Sequence, residues 1–444
     1  MSRLLVASLT LAFACQDVSI GRQTPRDASV GVRRERVLPM PDADLTLRAF
    51  DVGPGGEWVV LAQFTGSADF GDGDVRTATS DGGDGVLLVL EPDGALRAKR
   101  VLAADFLTLY RAVVGDDAIH ITGLFRGTLS DGDPVGDAPA AQTAIALSYT
   151  MDGTRSDARV LGAGFGNVQG KGIAGGGGRL LRCGNYLGDL DAGDGALPSA
   201  GATSDNGYVT LADGATTTWT EAIVAEDDGR GAFVQNCAFG SGGAFAAMDF
   251  GGTVEIEGSS RVSDGLDAFV IAYDDDGASR WARSIGGPGD QQLNPLATNS
   301  AGVFVGGSSS ATFTLGAATV DPGGFVAALD LDGEPRWVWS AGVRAVTGVD
   351  ASGSDTVVSG LFDAPVTRLG WDPVGERDGF VAGLDATGAI RWSHTFGSGA
   401  NDSCLGHESG SGLAVVCVFG GSLESPGGTA IGDGGALWLA VVER

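Results

Sequence analysis

Short apolar runs, each ended by Gly, Asp or Pro, follow one another along almost the whole chain, and no long stretch shows a 3.6-residue periodicity free of glycine. An interior glycine costs a helix about 1 kcal/mol relative to alanine, so the pattern predicts strands throughout. Three segments align without a gap. Phe269-Val-Ile-Ala-Tyr-Asp274 leads to Gly277 and Trp281, Phe325-Val-Ala-Ala-Leu-Asp330 to Gly333 and Trp337, and Phe380-Val-Ala-Gly-Leu-Asp385 to Gly388 and Trp392. Each reads as an apolar strand, a turn whose glycine supplies a positive φ, and a second strand that places an aromatic four residues on. Weaker copies turn at Gly94, Gly153 and Gly214, so the turn glycines recur every 55 to 63 residues.

A further strand pair precedes each hairpin, as at Gly56 to Leu61, Asp117 to Gly123, Gly302 to Gly306 and Asp355 to Gly360. Four short strands in every ~58 residues make a propeller blade, with a solenoid as the structural rival. The chain ends decide between them. Trp438-Leu-Ala-Val-Val-Glu443 matches the apolar strand of the hairpin, but its turn glycine would fall beyond the last residue, so the seventh unit lacks a fourth strand. Arg34-Glu35-Arg36-Val37-Leu38 is unpartnered and resembles Arg97-Ala98-Lys99-Arg100-Val101-Leu102, the fourth strand of the first unit. Inserting it into the last unit closes a ring and leaves no edge strand exposed. The expected fold is therefore all-β: a seven-bladed β-propeller over residues 33–444, its last blade closed by an N-terminal strand.

These repeats resemble bacterial β-propeller repeats of the SBBP type, best kept at Asp267 to Gly277 and Asp378 to Gly388. Leu384 to Trp392 is also similar to repeats of quinoprotein-like propellers, some of which are outer-membrane assembly lipoproteins. Either resemblance implies a scaffold and names no activity.

Met1-Ser2-Arg3, the apolar run Leu4 to Ala14 and then Cys15 resemble a bacterial lipoprotein signal over residues 1–14. The run is too short for a membrane-spanning helix, which needs about 20 residues. The resemblance implies lipid attachment at Cys15 and a membrane held through that anchor. Gln16, in place of Asp, points to the outer membrane or cell surface, and residues 15–32 read as a flexible tether.

The formal charge of −28 opposes phosphate backbones and excludes nucleic acid as a partner. Four cysteines remain after Cys15, an even number in an exported chain. Cys404 and Cys417 lie on adjacent strands of the seventh unit and are the first disulfide candidates. Cys183 and Cys237, at similar places in units three and four, are the second. Asp-Gly clusters at Asp69 to Asp74, Asp131 to Asp133 and Asp191 to Gly195 read as turns, with calcium as the alternative.

Catalytic signatures are missing. Gly170-Lys171-Gly172-Ile173-Ala174-Gly175 fits G-x-G-x-x-G but leads into more glycine and a strand, where a dinucleotide site needs a helix. There is no G-x-S-x-G and no H-E-x-x-H, and His120, His394 and His407 do not cluster by spacing. No catalytic residue, metal ligand or cofactor is nominated. Trp281, Trp337 and Trp392 are expected to wedge between blades, whereas Trp371, outside the period, is the better candidate for an exposed contact. The leading expectation is a monomeric, non-enzymatic envelope lipoprotein that binds a protein or glycan. The alternatives are a carboxylate-dependent polysaccharide lyase or hydrolase, and a periplasm-facing assembly scaffold.

Overall fold

In the structure, a computed structural model, the described residues are 32–442 apart from short stretches at 81, 116–117, 163–165, 193–194, 200, 202, 227–229, 241, 257, 410–411, 425–429 and 432–434. The signal-like segment, Cys15 and the rest of the tether expected over 15–32 lie outside them, except Val32, which is the first residue of a strand. Among the described residues there is no helix.

The Asp-Gly hairpins form where the repeat places them. Gly277, Gly333 and Gly388 have φ of +87°, +82° and +80°. Each is also crowded, since a Cβ there would lie within 2.8 Å of the Trp219, Trp281 or Trp337 ring of the preceding blade. The repeated tryptophan and the repeated glycine are thus two halves of one contact: the indole of one blade covers the turn of the next.

Six antiparallel blades follow in order, spanning 43–102, 106–161, 168–223, 231–285, 291–340 and 345–396, each of four strands, the first with the short Val75–Thr77 added on Trp58–Asp69. The seventh combines Asp402–Ser409, Gly412–Phe419 and Ala436–Val442 with Val32–Pro39 as its outermost strand. Val32–Pro39 pairs antiparallel with Ala436–Val442, Val37 opposite Trp438 and Leu38 opposite Leu437. The ring closes as expected. Third strands such as Asp84–Leu90, Asp378–Leu384 and Ala436–Val442 are buried at every position. Because neighbouring blades cover both of their faces, they read as continuous apolar runs without period-two alternation. The core is therefore a series of layers between blades; Leu437 and Leu439 pack with Val86 and Leu88 across the seam between blades 7 and 1.

A second repeated contact reinforces the seam. Two residues before the buried end of the outer strand, Arg100, Arg159 and Arg283 donate to the carbonyls of Gly153, Gly214 and Gly333 in the next blade. Arg36 of the closing strand makes the same contact with Gly94 of blade 1. The closing strand is therefore joined to blade 1 in the way other blades are joined to their successors.

Cys404 and Cys417 lie directly opposite each other on the first two strands of blade 7 and are disulfide-bonded. Bridging a sequence separation of 13 residues stabilises by about 3 kcal/mol in the chain-entropy picture. The Cys404→Ser/Cys417→Ser double variant is expected to lose about that much, measured by urea unfolding against the oxidised protein. Cys183 and Cys237 meet across blades 3 and 4 as buried thiols, without a disulfide. Burial, together with the hydrogen bond from Cys183, holds the Cys237 thiol well above the usual range.

Trp371 is not the exposed contact its position suggested. It is 1% exposed and packs on Phe362 and Phe380, with ring centroids 5.7 and 5.1 Å away. The loop carrying it folds back over the apolar face of blade 6.

Candidate functional site

The first strand of every blade lines a central channel, and its start and end mark the two mouths. In six blades that strand has one residue more than its partner can match. Leu47 and Ala49 face Ala62 and Leu61, leaving Arg48 unpaired. The same shift leaves Tyr110, Lys171, Gln235 and Thr347 unpaired in blades 2, 3, 4 and 6, and falls at Asn294 and Pro295 in blade 5. A β-bulge re-aims a side chain, and these six polar residues all line one cavity of about 690 Å³ at the upper mouth. Blade 7 has no bulge in this strand; there the Cys404–Cys417 pair holds the strands residue for residue.

Two of these six residues, Arg48 and Lys171, are cations. Arg48 has a buried Nε without a hydrogen-bond partner, and desolvation lowers its pKa. The Lys171 ammonium sits 4.0 Å from the centre of the Tyr110 ring. Arg111, next to the bulge of blade 2, reaches across the axis to the Asn294 amide oxygen of blade 5. Arg111 lines both the upper cavity and the lower one, so its side chain forms a bar at mid-channel. Burial pushes its pKa down to about 10.

Asp249, 2% exposed, faces this group from the second strand of blade 4. Its carboxylate accepts from the Leu293 N–H at 2.7 Å and from Gln235 Nε2 at 2.9 Å. Burial nevertheless pushes its pKa up to about 7, against the pull of those two bonds and of Lys171. Strong perturbation by desolvation inside a cavity marks candidate functional sites.

The lower mouth holds a different cluster. His407 of blade 7 places Nδ1 3.4 Å from Asp51 of blade 1 and 3.5 Å from Asp350 of blade 6. Asp51 also accepts from Val52 and Val114, and Asp350 from Ser352 and Glu408. Burial raises the Asp51 pKa, opposed by His407. All three line a cavity of about 480 Å³. The histidine spacing gave no hint of this cluster, because its partners are aspartates from neighbouring blades.

The other sequence candidates have structural roles. The G-x-G-x-x-G run lies in the first strand of blade 3, and a Cβ on Gly172 would come within 2.6 Å of Cys183 Sγ. Asp69 caps its own turn through the N–H groups of Gly71, Asp72 and Gly73. Asp131 accepts from Tyr149 and pairs with Arg155. Among the described residues, no three His, Cys, Asp or Glu side chains are grouped to hold a metal ion.

Fold and channel together define a seven-bladed β-propeller with a polar, bulge-lined upper mouth. No family model matches the chain, and no curated protein matches it. Among solved structures it is similar to a chain of the mitotic checkpoint complex, at 11% identity and a TM-score of 0.48, covering 100% of this chain and 99% of that one. It is also similar to the Dos1 propeller, at 9% identity, a TM-score of 0.42 and coverage of 94% and 96%. The computationally designed Ika8 protein matches at 12% identity, a TM-score of 0.40 and coverage of 91% and 98%.

Proposed function

We propose that this chain is a non-enzymatic binding propeller of the SBBP type, exported to the bacterial envelope, anchored by a lipid on Cys15, and presenting its upper mouth to a glycan. The observation that carries the reading is the repeated bulge. Six blades give up a ladder pairing at equivalent points, and each turns a polar side chain into the same cavity. A bulge re-aims the side chain it carries and is common beside binding sites, and here six of them converge on one space. A cavity of this volume falls in the range of small-ligand sites.

Two measurements test the reading. Mass spectrometry of the mature protein is expected to find an acylated Cys15 as its first residue. The purified chain is expected to retain envelope polysaccharide on a column and release it unchanged. An unmodified Cys15 overturns the anchor, and release of shortened polysaccharide overturns the non-enzymatic reading.

A second reading has the Asp51–His407–Asp350 cluster in its favour. Two carboxylates that orient an imidazole are a starting point for acid–base chemistry on a polysaccharide. Turnover abolished by His407→Ala, with the upper mouth intact, is the result that would establish it.

A further inference from the structure

We infer that the upper mouth is an anion site for a sugar acid, whose carboxylate is held by Arg48 and Lys171 above the Arg111 bar. This rests on the binding reading above and gives its ligand a charge. The chain has 56 acidic against 28 basic side chains and only two lysines, yet one of those lysines and three arginines, Arg48, Arg111 and Arg377, line this cavity. Such a concentration runs against the charge of the whole molecule.

Among the described residues, Arg48, Lys171 and Arg111 form no ion pair. Arg48 Nε is buried without a partner, Lys171 lies on an aromatic face, and Arg111 donates to a neutral amide. The carboxylates that share the cavity are already engaged. Asp249 is held by Gln235 and Leu293, and Asp402 by Ser398 and Gly420. Asp249 offsets Lys171 in part, but positive charge partly removed from water and not in a direct ion pair makes a field that an anion from solution completes.

The chemistry around the cations selects within anions. A planar guanidinium fork matches the two oxygens of a carboxylate. The amides of Gln235 and Asn294 and the hydroxyl of Thr347 ring the same space, and these pair with the hydroxyls of a sugar ring. A sugar acid spans both sets of groups, whereas inorganic phosphate is too small to reach the cations and the whole polar ring at once.

The test is titration calorimetry on the full chain with glucuronate, galacturonate, mannuronate, their neutral hexoses and inorganic phosphate, at low and high salt. At least one uronate is expected to bind tenfold or more tighter than its hexose, and more weakly as salt rises. Arg48→Gln and Lys171→Gln are each expected to lose tenfold or more, Lys171→Arg to recover most of the loss, and the surface variant Arg76→Gln to match the parent. Circular dichroism confirms that each variant is folded.

Equal binding of uronate and hexose, or full affinity in both glutamine variants, overturns the anion site while leaving a glycan-binding propeller standing. Phosphate binding as tightly as the best uronate overturns the sugar assignment. If no uronate binds, the inference is overturned outright; retention of envelope polysaccharide then decides separately whether the binding reading survives.

Discussion

A chain lacking residues 32–39 is expected to lose the ring rather than one strand of it. Those residues form the outermost strand of blade 7, and their removal uncovers the backbone of Ala436–Val442 along its full length. Leu38, 5% exposed, leaves the layer between blades 7 and 1. The Arg36 contact with Gly94 and the Arg34 contact with Pro92 go with it. Ladder hydrogen bonds along the seven paired positions at about 1 kcal/mol each, plus buried Leu38 at about 2 kcal/mol and half-buried Val37 at about 1 kcal/mol, sum to on the order of 10 kcal/mol. That is comparable with the whole stability of a typical domain. The truncated chain is expected to aggregate on size exclusion and to show no cooperative melt by circular dichroism, while Arg36→Ala loses only about 1 kcal/mol. A synthetic peptide of residues 32–39 is expected to restore the melt in part by adding back as a strand. A truncated chain that melts like the parent would contradict closure by this strand.

That closure could be anticipated because its signal is local. The glycine and tryptophan of each hairpin are demanded by one turn and one contact, so they recur visibly at Gly277, Gly333 and Gly388. The resemblance of Arg34–Leu38 to Arg97–Leu102 reflects the same outer-strand position, with Arg36 and Arg100 making equivalent bonds. The upper mouth could not be read this way. A bulge is a mismatch in count between two strands, and nothing in Leu47-Arg48-Ala49 alone separates a bulged arginine from an exposed one. The trace was there only at the level of the repeat, as one polar residue in the first strand of six units. Trp371 defeats the repeat for the opposite reason: it lies outside the period yet inside the core, because its loop covers blade 6. His407 meets Asp51 and Asp350 only because ring closure brings blades 6, 7 and 1 together, and no spacing rule along the chain encodes that.

The second large effect concerns Asp249, and its direction follows from linkage. The folded protein holds this carboxyl with a pKa of about 7 against an ordinary 3.8. Between those values the native state keeps the proton that the unfolded chain releases, so stability falls as pH rises. The contribution is intact below pH 4 and is lost as pH passes about 7, an amount on the order of 4 kcal/mol for a shift from 3.8 to about 7. Asp402, pushed up to about 6 by burial, acts in the same direction and is present in both proteins compared. Asp249→Asn keeps an oxygen for the Leu293 N–H but cannot ionise. Its stability relative to the parent, from urea unfolding at pH 4, 6 and 8, is expected to be near zero at pH 4 and to rise by several kcal/mol by pH 8. A constant difference across that range would show that Asp249 stays ionised when folded. The same substitution removes a carboxylate that interacts electrostatically with Lys171, so at pH 8 a bound uronate is expected to be held more tightly in the variant than in the parent.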